Sequence, residues 1–181
     1  MAEYYYFVSS LPALWMEKDA PITYKEFLSQ AQEQLTKADY ADLLNATFYP
    51  EDKKSKNKTV MDWESFIFKL NEMLTEARAK KLGLSDPSYS ARCDKDTILA
   101  ESVKRIIEEP NALKAERMIL SLYFDFLDQH QVSSPFSTDA LMIYGLKLQI
   151  KEKANSFDKE KGKAEFARLF SDIEKDIFHK E

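Results

Sequence analysis

Glycine is nearly missing from this chain: 3 residues in 181, where average usage near 7% would give roughly a dozen. The three, Gly83, Gly145 and Gly162, stand alone, so no glycine-rich loop exists to cradle a phosphate and no G-x-S-x-G elbow exists to present a nucleophile. Valine is scarce too, with 4 against 19 leucines, and a chain poor in β-branched residues is poor in strands. One cysteine, Cys93, excludes an intramolecular disulfide and, with only two histidines, the ligand set of a structural zinc site. No stretch approaches the roughly 20 consecutive apolar residues of a membrane span. Positive charge is also short: 26 basic residues face 31 acidic ones, a net charge of −5, which argues against a nucleic-acid partner.

What the chain does have is 44% hydrophobic and 13% aromatic residues, enough to bury a core at this length. The expected class is all-α. The periodicity predicts a compact antiparallel bundle of about six to eight helices in one domain, 1–181, with a candidate lobe boundary in the turn-rich stretch 85–94. A cytoplasmic location fits the single cysteine and the absence of a span. The opening run Tyr4, Tyr5, Tyr6, Phe7, Val8 is not a secretory signal, because Glu3 is acidic and Pro12 interrupts the apolar stretch. By propensity it reads as strand, but no second strand is there to pair with it, so a short helix is expected.

Thr23 and Glu26 form a capping box, with Ile22 and Phe27 placed as a hydrophobic staple. Thr36 can cap a second helix, carrying Ala41, Leu43, Leu44 and Phe48 and stopped by Pro50. The stretch from Glu51 to Lys58 has no apolar residue and reads as a solvated loop. A third helix is expected from about Thr59 to Leu82, with Gly83 past its end, and a fourth from Lys95 to Glu109 before Pro110. Asn111 caps a fifth, through Gln129. Ser137 begins a sixth whose apolar residues, Leu141 to Ile150, cover most of its circumference, so it must lie between other elements. The last, Lys163 to Phe178, carries Phe166, Leu169, Phe170, Ile173 and Ile177 on one face.

Candidate chemistry is thin. Asp176 and His179 have metal-compatible spacing, but one such pair falls short of a helical metal site. The expectation is no catalytic residue, no metal and no cofactor. Acidic residues between Glu101 and Asp128, with Tyr123 or Tyr144, leave one alternative open: an enzyme with a carboxylate-lined pocket between helices. An unrelated helical adaptor is a further alternative. The feature that burial does not readily absorb is the aromatic surplus near the N-terminus, and Tyr4, Tyr5, Leu14 and Trp15 are the candidate partner-binding residues.

Three segments, YYYFVSSLPAL, NALKAERMILSLYFDFLDQH and STDALMIYGLKLQIKEK, resemble a small uncharacterised family encoded with bacterial V-type (A/V-type) ATPase operons. That family in turn resembles a shortened form of the C subunit of V-type ATPases, known as the d subunit in eukaryotes. Tyr4 and Tyr6 match its Y-x-Y opening, Glu116, Tyr123, Phe124 and Asp125 an acidic-aromatic stretch, and Leu141, Lys147 and Lys151 a segment ending in basic residues. Ser9, Ser10 and Leu11 stand where the pattern of the C subunit has arginines. The resemblance implies a helical, non-catalytic component or accessory of the ATPase, contacting the central stalk or the proteolipid ring. It would then lie peripheral to the membrane through that complex, without inserting into it.

Overall fold

A computed structural model describes residues 3–49, 56–84, 97–157 and 159–178, with the side chains of the final helix described over 162–171. The boundary expected at 85–94, together with Cys93, Pro50 and His179, lies outside the described residues. Among those described, the secondary structure is entirely helical: α1 (Tyr5–Ser10), α2 (Tyr24–Gln34), α3 (Lys37–Leu44), α4 (Lys58–Lys81), α5 (Thr97–Glu108), α6 (Ala112–Gln129), α7 (Thr138–Asn155) and α8 (Lys159–Phe178). No helix among them is long and apolar enough to cross a membrane.

The starts are set by local chemistry. The Thr23 hydroxyl accepts from the Glu26 N–H at 3.2 Å while the Glu26 carboxylate accepts from the Thr23 N–H at 2.7 Å, closing the capping box. Thr36, Asn111 and Ser137 cap α3, α6 and α7, each side-chain oxygen accepting from a backbone N–H three residues on. Each such cap contributes about 1 kcal/mol. The cap of α4 is Asn57, whose side chain accepts from the Val60 N–H and donates to Asp139, so the loop expected through Lys58 ends earlier than its charge suggests.

α3 ends at Leu44, well short of Pro50, and Phe48 lies outside it. The reason is tertiary. The Gln149 side chain donates to the Ala46 carbonyl at 2.9 Å and accepts from the Phe48 N–H at 2.8 Å, and Trp63 donates its indole N–H to the Thr47 carbonyl at 3.1 Å. Those backbone groups find partners in α7 and α4 and have no need of a continued helix.

The core is one hydrophobic cluster running from Phe7 to Ile150, with members on both sides of 85–94. α7 is its axis, packing against α2, α3, α4 and α6. Leu141, Met142, Leu146, Leu148 and Ile150 are fully buried, as expected of a helix that is apolar most of the way round. Gly145 allows α2 to approach: a Cβ there would stand 3.1 Å from the Phe27 ring. α4 and α6 share an aromatic layer, in which Trp63 and Tyr123 meet edge-on at 5.5 Å and Phe66 stacks on Phe126 at 4.0 Å.

Candidate functional site

Two features could carry function: the N-terminal aromatic segment, and a groove bordered by α4, α5 and α6.

The N-terminal segment, residues 4–18, is fastened from behind at three points. The Tyr4 hydroxyl donates to the Asp39 carboxylate, which also accepts from the Thr36 hydroxyl at 2.7 Å and the Thr138 hydroxyl at 3.1 Å. The hydrogen bond from Tyr4 is the chief reason that Asp39 is held below the usual carboxylate range, against the opposing effect of its burial. Tyr144 donates to the Pro12 carbonyl at 2.9 Å, and burial pushes that phenol up to about 12. The third fastening is Lys151, 3% exposed, whose ammonium donates to the carbonyls of Trp15 at 2.7 Å, of Met16 at 3.2 Å, and of Lys18. Desolvation lowers its pKa below the ordinary lysine value. A buried cation is tolerable only when its donors are met, and three carbonyls meet them.

On the outer side of this fixed segment, aromatic side chains stand in solvent. Tyr6 is 82% exposed, Trp15 57% and Tyr5 53%. The Tyr5 ring leans on Phe136 at 4.5 Å, and the Lys18 ammonium lies 5.7 Å from the Trp15 ring. Of the residues expected to meet a partner, Tyr5 and Trp15 are therefore on the surface. Tyr4 is half-buried and turned toward Asp39, and Leu14 is half-buried, lining a cavity of about 200 Å³ with Val8, Leu11 and Tyr144. Tyr6, the most exposed of these aromatics, is the residue that composition alone passes over. Its position in α1 next to the buried Phe7 separates it from its neighbours, and only the helix phase reveals that.

The groove, about 700 Å³, lies between α4, α5 and α6. Phe66 and Phe126 form one wall, Leu99 and Leu122 add apolar surface, and Asp62, Asp125 and His130 bring polar groups to it. His130 Nε2 is 3.9 Å from Asp62, a partner that sequence distance conceals. Asp125 is raised above its ordinary value, first by desolvation and then by Asp128 and Glu17. Of the carboxylates considered for a pocket, Asp125 reaches this groove; Glu101 and Glu108 are exposed, Glu109 pairs with Lys114 and Asp128 with Lys147. Tyr123 is buried in the core, its phenol pushed up to about 12. No group of three or more metal-ligating side chains occurs among the described residues.

Fold and surface together define an all-α protein with a fixed, aromatic N-terminal face. Over residues 93–177 it is similar to a family described as protein of unknown function, DUF2764, a match that takes in α5, α6, α7 and nearly all of α8 and leaves the N-terminal aromatic segment outside. No curated protein and no solved structure matches the chain.

Proposed function

We propose that this protein is a non-catalytic component or accessory of a bacterial V-type ATPase, resembling the C subunit in role, which contacts the central stalk or the proteolipid ring through its N-terminal aromatic face. The observation that carries the binding reading is the contrast across residues 4–18: aromatic rings exposed on one side, and Asp39, Tyr144 and Lys151 gripping the segment on the other. A rigid aromatic presented to solvent loses little freedom on binding, which is what makes it an effective anchor. The choice of an ATPase as partner comes from the resemblance of the three segments.

The test is affinity capture of the tagged full chain from its own cells in mild detergent, followed by native mass spectrometry. The expected result is stalk or ring subunits in fixed ratio, lost when Tyr6 and Trp15 are replaced by alanine. Recovery of the chain without ATPase subunits would refute the reading. The groove beside Phe66 and Phe126 favours a second reading, a pocket for a small ligand, in which Asp125 and His130 supply the polar contacts.

A further inference from the structure

Over residues 162–170 the last helix stands clear of the core. Every residue from 162 to 170 is exposed; Phe166 is 70% exposed, Phe170 54% and Leu169 48%, and the two phenylalanine rings lie 6.3 Å apart, one turn from each other on the same face. A stripe of that kind on a surface is unusual unless something covers it.

The distribution of charge along α8 says what. Its first ten residues hold four basic and two acidic side chains, and its last ten hold one basic and three acidic, giving +2 and −2. This is the reverse of what a lone helix prefers, since its N-terminus carries partial positive charge and its C-terminus partial negative. Most helical stability in proteins comes from packing of an amphipathic face. Both needs are met by a copy of the same helix running the other way: basic half over acidic half, and the two dipoles opposed.

We propose that α8 is a self-association helix, pairing antiparallel with α8 of a second copy about a two-fold axis near Arg168. In that register position 166 of one copy stands opposite position 170 of the other, twice over by symmetry, so four phenylalanines meet at the centre. Towards each end, Lys163 of one copy falls beside Glu174 of the other, on the same flank of the seam. This is the isologous contact that two-fold symmetry requires, with oppositely charged residues flanking an apolar seam as in coiled coils. A parallel pair would set basic on basic and acidic on acidic, and an anionic lipid surface would repel the acidic half.

The experiment uses the purified full-length chain and reads mass by light scattering and sedimentation, so it does not depend on the ATPase reading. The expected mass is twice the monomer's 21.1 kDa. Replacing both exposed phenylalanines, Phe166→Ser with Phe170→Ser, raises the dissociation constant at least about a hundredfold while the thermal unfolding of the remaining core stays unchanged. Charge reversal gives the decisive arm. A Lys163→Glu chain and a Glu174→Lys chain each self-associate about tenfold more weakly at low salt, and an equimolar mixture restores the dimer. A monomer at every concentration tested overturns the proposal, as does a dimer that survives loss of both phenylalanines, or charge variants that fail to rescue each other. Protection of α8 from exchange only by lipid vesicles or by ATPase subunits, with the chain itself monomeric, would equally overturn it.

Discussion

Replacing Lys151 with methionine keeps the apolar stem and removes the ammonium that serves the carbonyls of Trp15, Met16 and Lys18, of which Trp15 keeps a second donor in the Lys18 N–H. A hydrogen bond to a charged group contributes about 1.5–3 kcal/mol, and a buried acceptor left unmet costs about 1–3 kcal/mol. Two terms work the other way. The variant no longer desolvates a cation, and the freed carbonyls belong to a surface segment that water can reach once it loosens. The net expectation is a loss of about 2–4 kcal/mol, which in a chain of this size lowers the melting temperature by roughly 5–15 °C. Circular dichroism against temperature and urea measures the global effect. Tryptophan fluorescence measures the local one, because Trp63 is fully buried and Trp15 is 57% exposed, so quenching by acrylamide reports chiefly on Trp15. The expected result is an early rise in quenching, with proteolysis focused near residues 15–18. A melting temperature within about 1 °C of the parent, with unchanged quenching, would show that the three carbonyls contribute nothing and that Lys151 is no clasp.

Gly145→Ala gains up to about 1 kcal/mol of helix propensity, yet the added carbon would sit 3.1 Å from Phe27, a fully buried ring wedged between Phe7 and Tyr144. Overpacking costs about 1–3 kcal/mol, so urea denaturation should show a net loss; a stabilised variant would mean that α2 yields. Asp39→Asn removes a carboxylate fed by three hydroxyl donors and should cost about 1–2 kcal/mol near neutral pH. Because the folded carboxyl titrates below its unfolded value of about 3.9, its contribution is complete above that value and lost as pH falls through the folded one. The gap between parent and variant should therefore close in acid, and a gap that persists there refutes the assignment. Tyr6→Ala and Trp15→Ala should leave the melting temperature within about 2 °C, since exposed changes are near neutral, while abolishing partner capture; a large loss of stability would place these rings in the fold and not at an interface.

Much of this fold is legible in the chain because its cues are local. Thr23, Thr36, Asn111 and Ser137 each cap the helix their position announces, and the encircling apolar residues of 141–150 place α7 at the centre. Even the Tyr-rich opening forms a helix against its strand propensity, with no strand among the described residues to pair with it. What is not legible depends on groups far apart in sequence. Asn57 starts α4 before the charged loop reaches its expected end, and Gln149 draws residues 46–48 out of a helix by taking their backbone groups. Lys151 has a spacing that says only that it lies on α7; its burial follows from a loop more than a hundred residues earlier. The pairing of His130 with Asp62 and the Phe66–Phe126 wall are invisible for the same reason. Of the candidate surface residues, Tyr5 and Trp15 could be named from composition, but telling Tyr4 from Tyr6 needs the phase of a six-residue helix and the position of Asp39.

The fastening of residues 4–18 by α7 also sets an order of events during synthesis. Tyr24 bonds to Glu152 across 128 positions, Pro12 to Tyr144 across 132 and Trp15 to Lys151 across 136. A segment made early is thus among the last to find its place, and at about 5–20 residues per second the wait lasts many seconds. Throughout it the segment has only the contacts that α2 and α3 offer, Phe7 on Phe27 and Tyr4 on Asp39. Contacts of such long span slow folding, so the aromatic face takes its fixed form only when α7 has been made and has fastened the segment from behind.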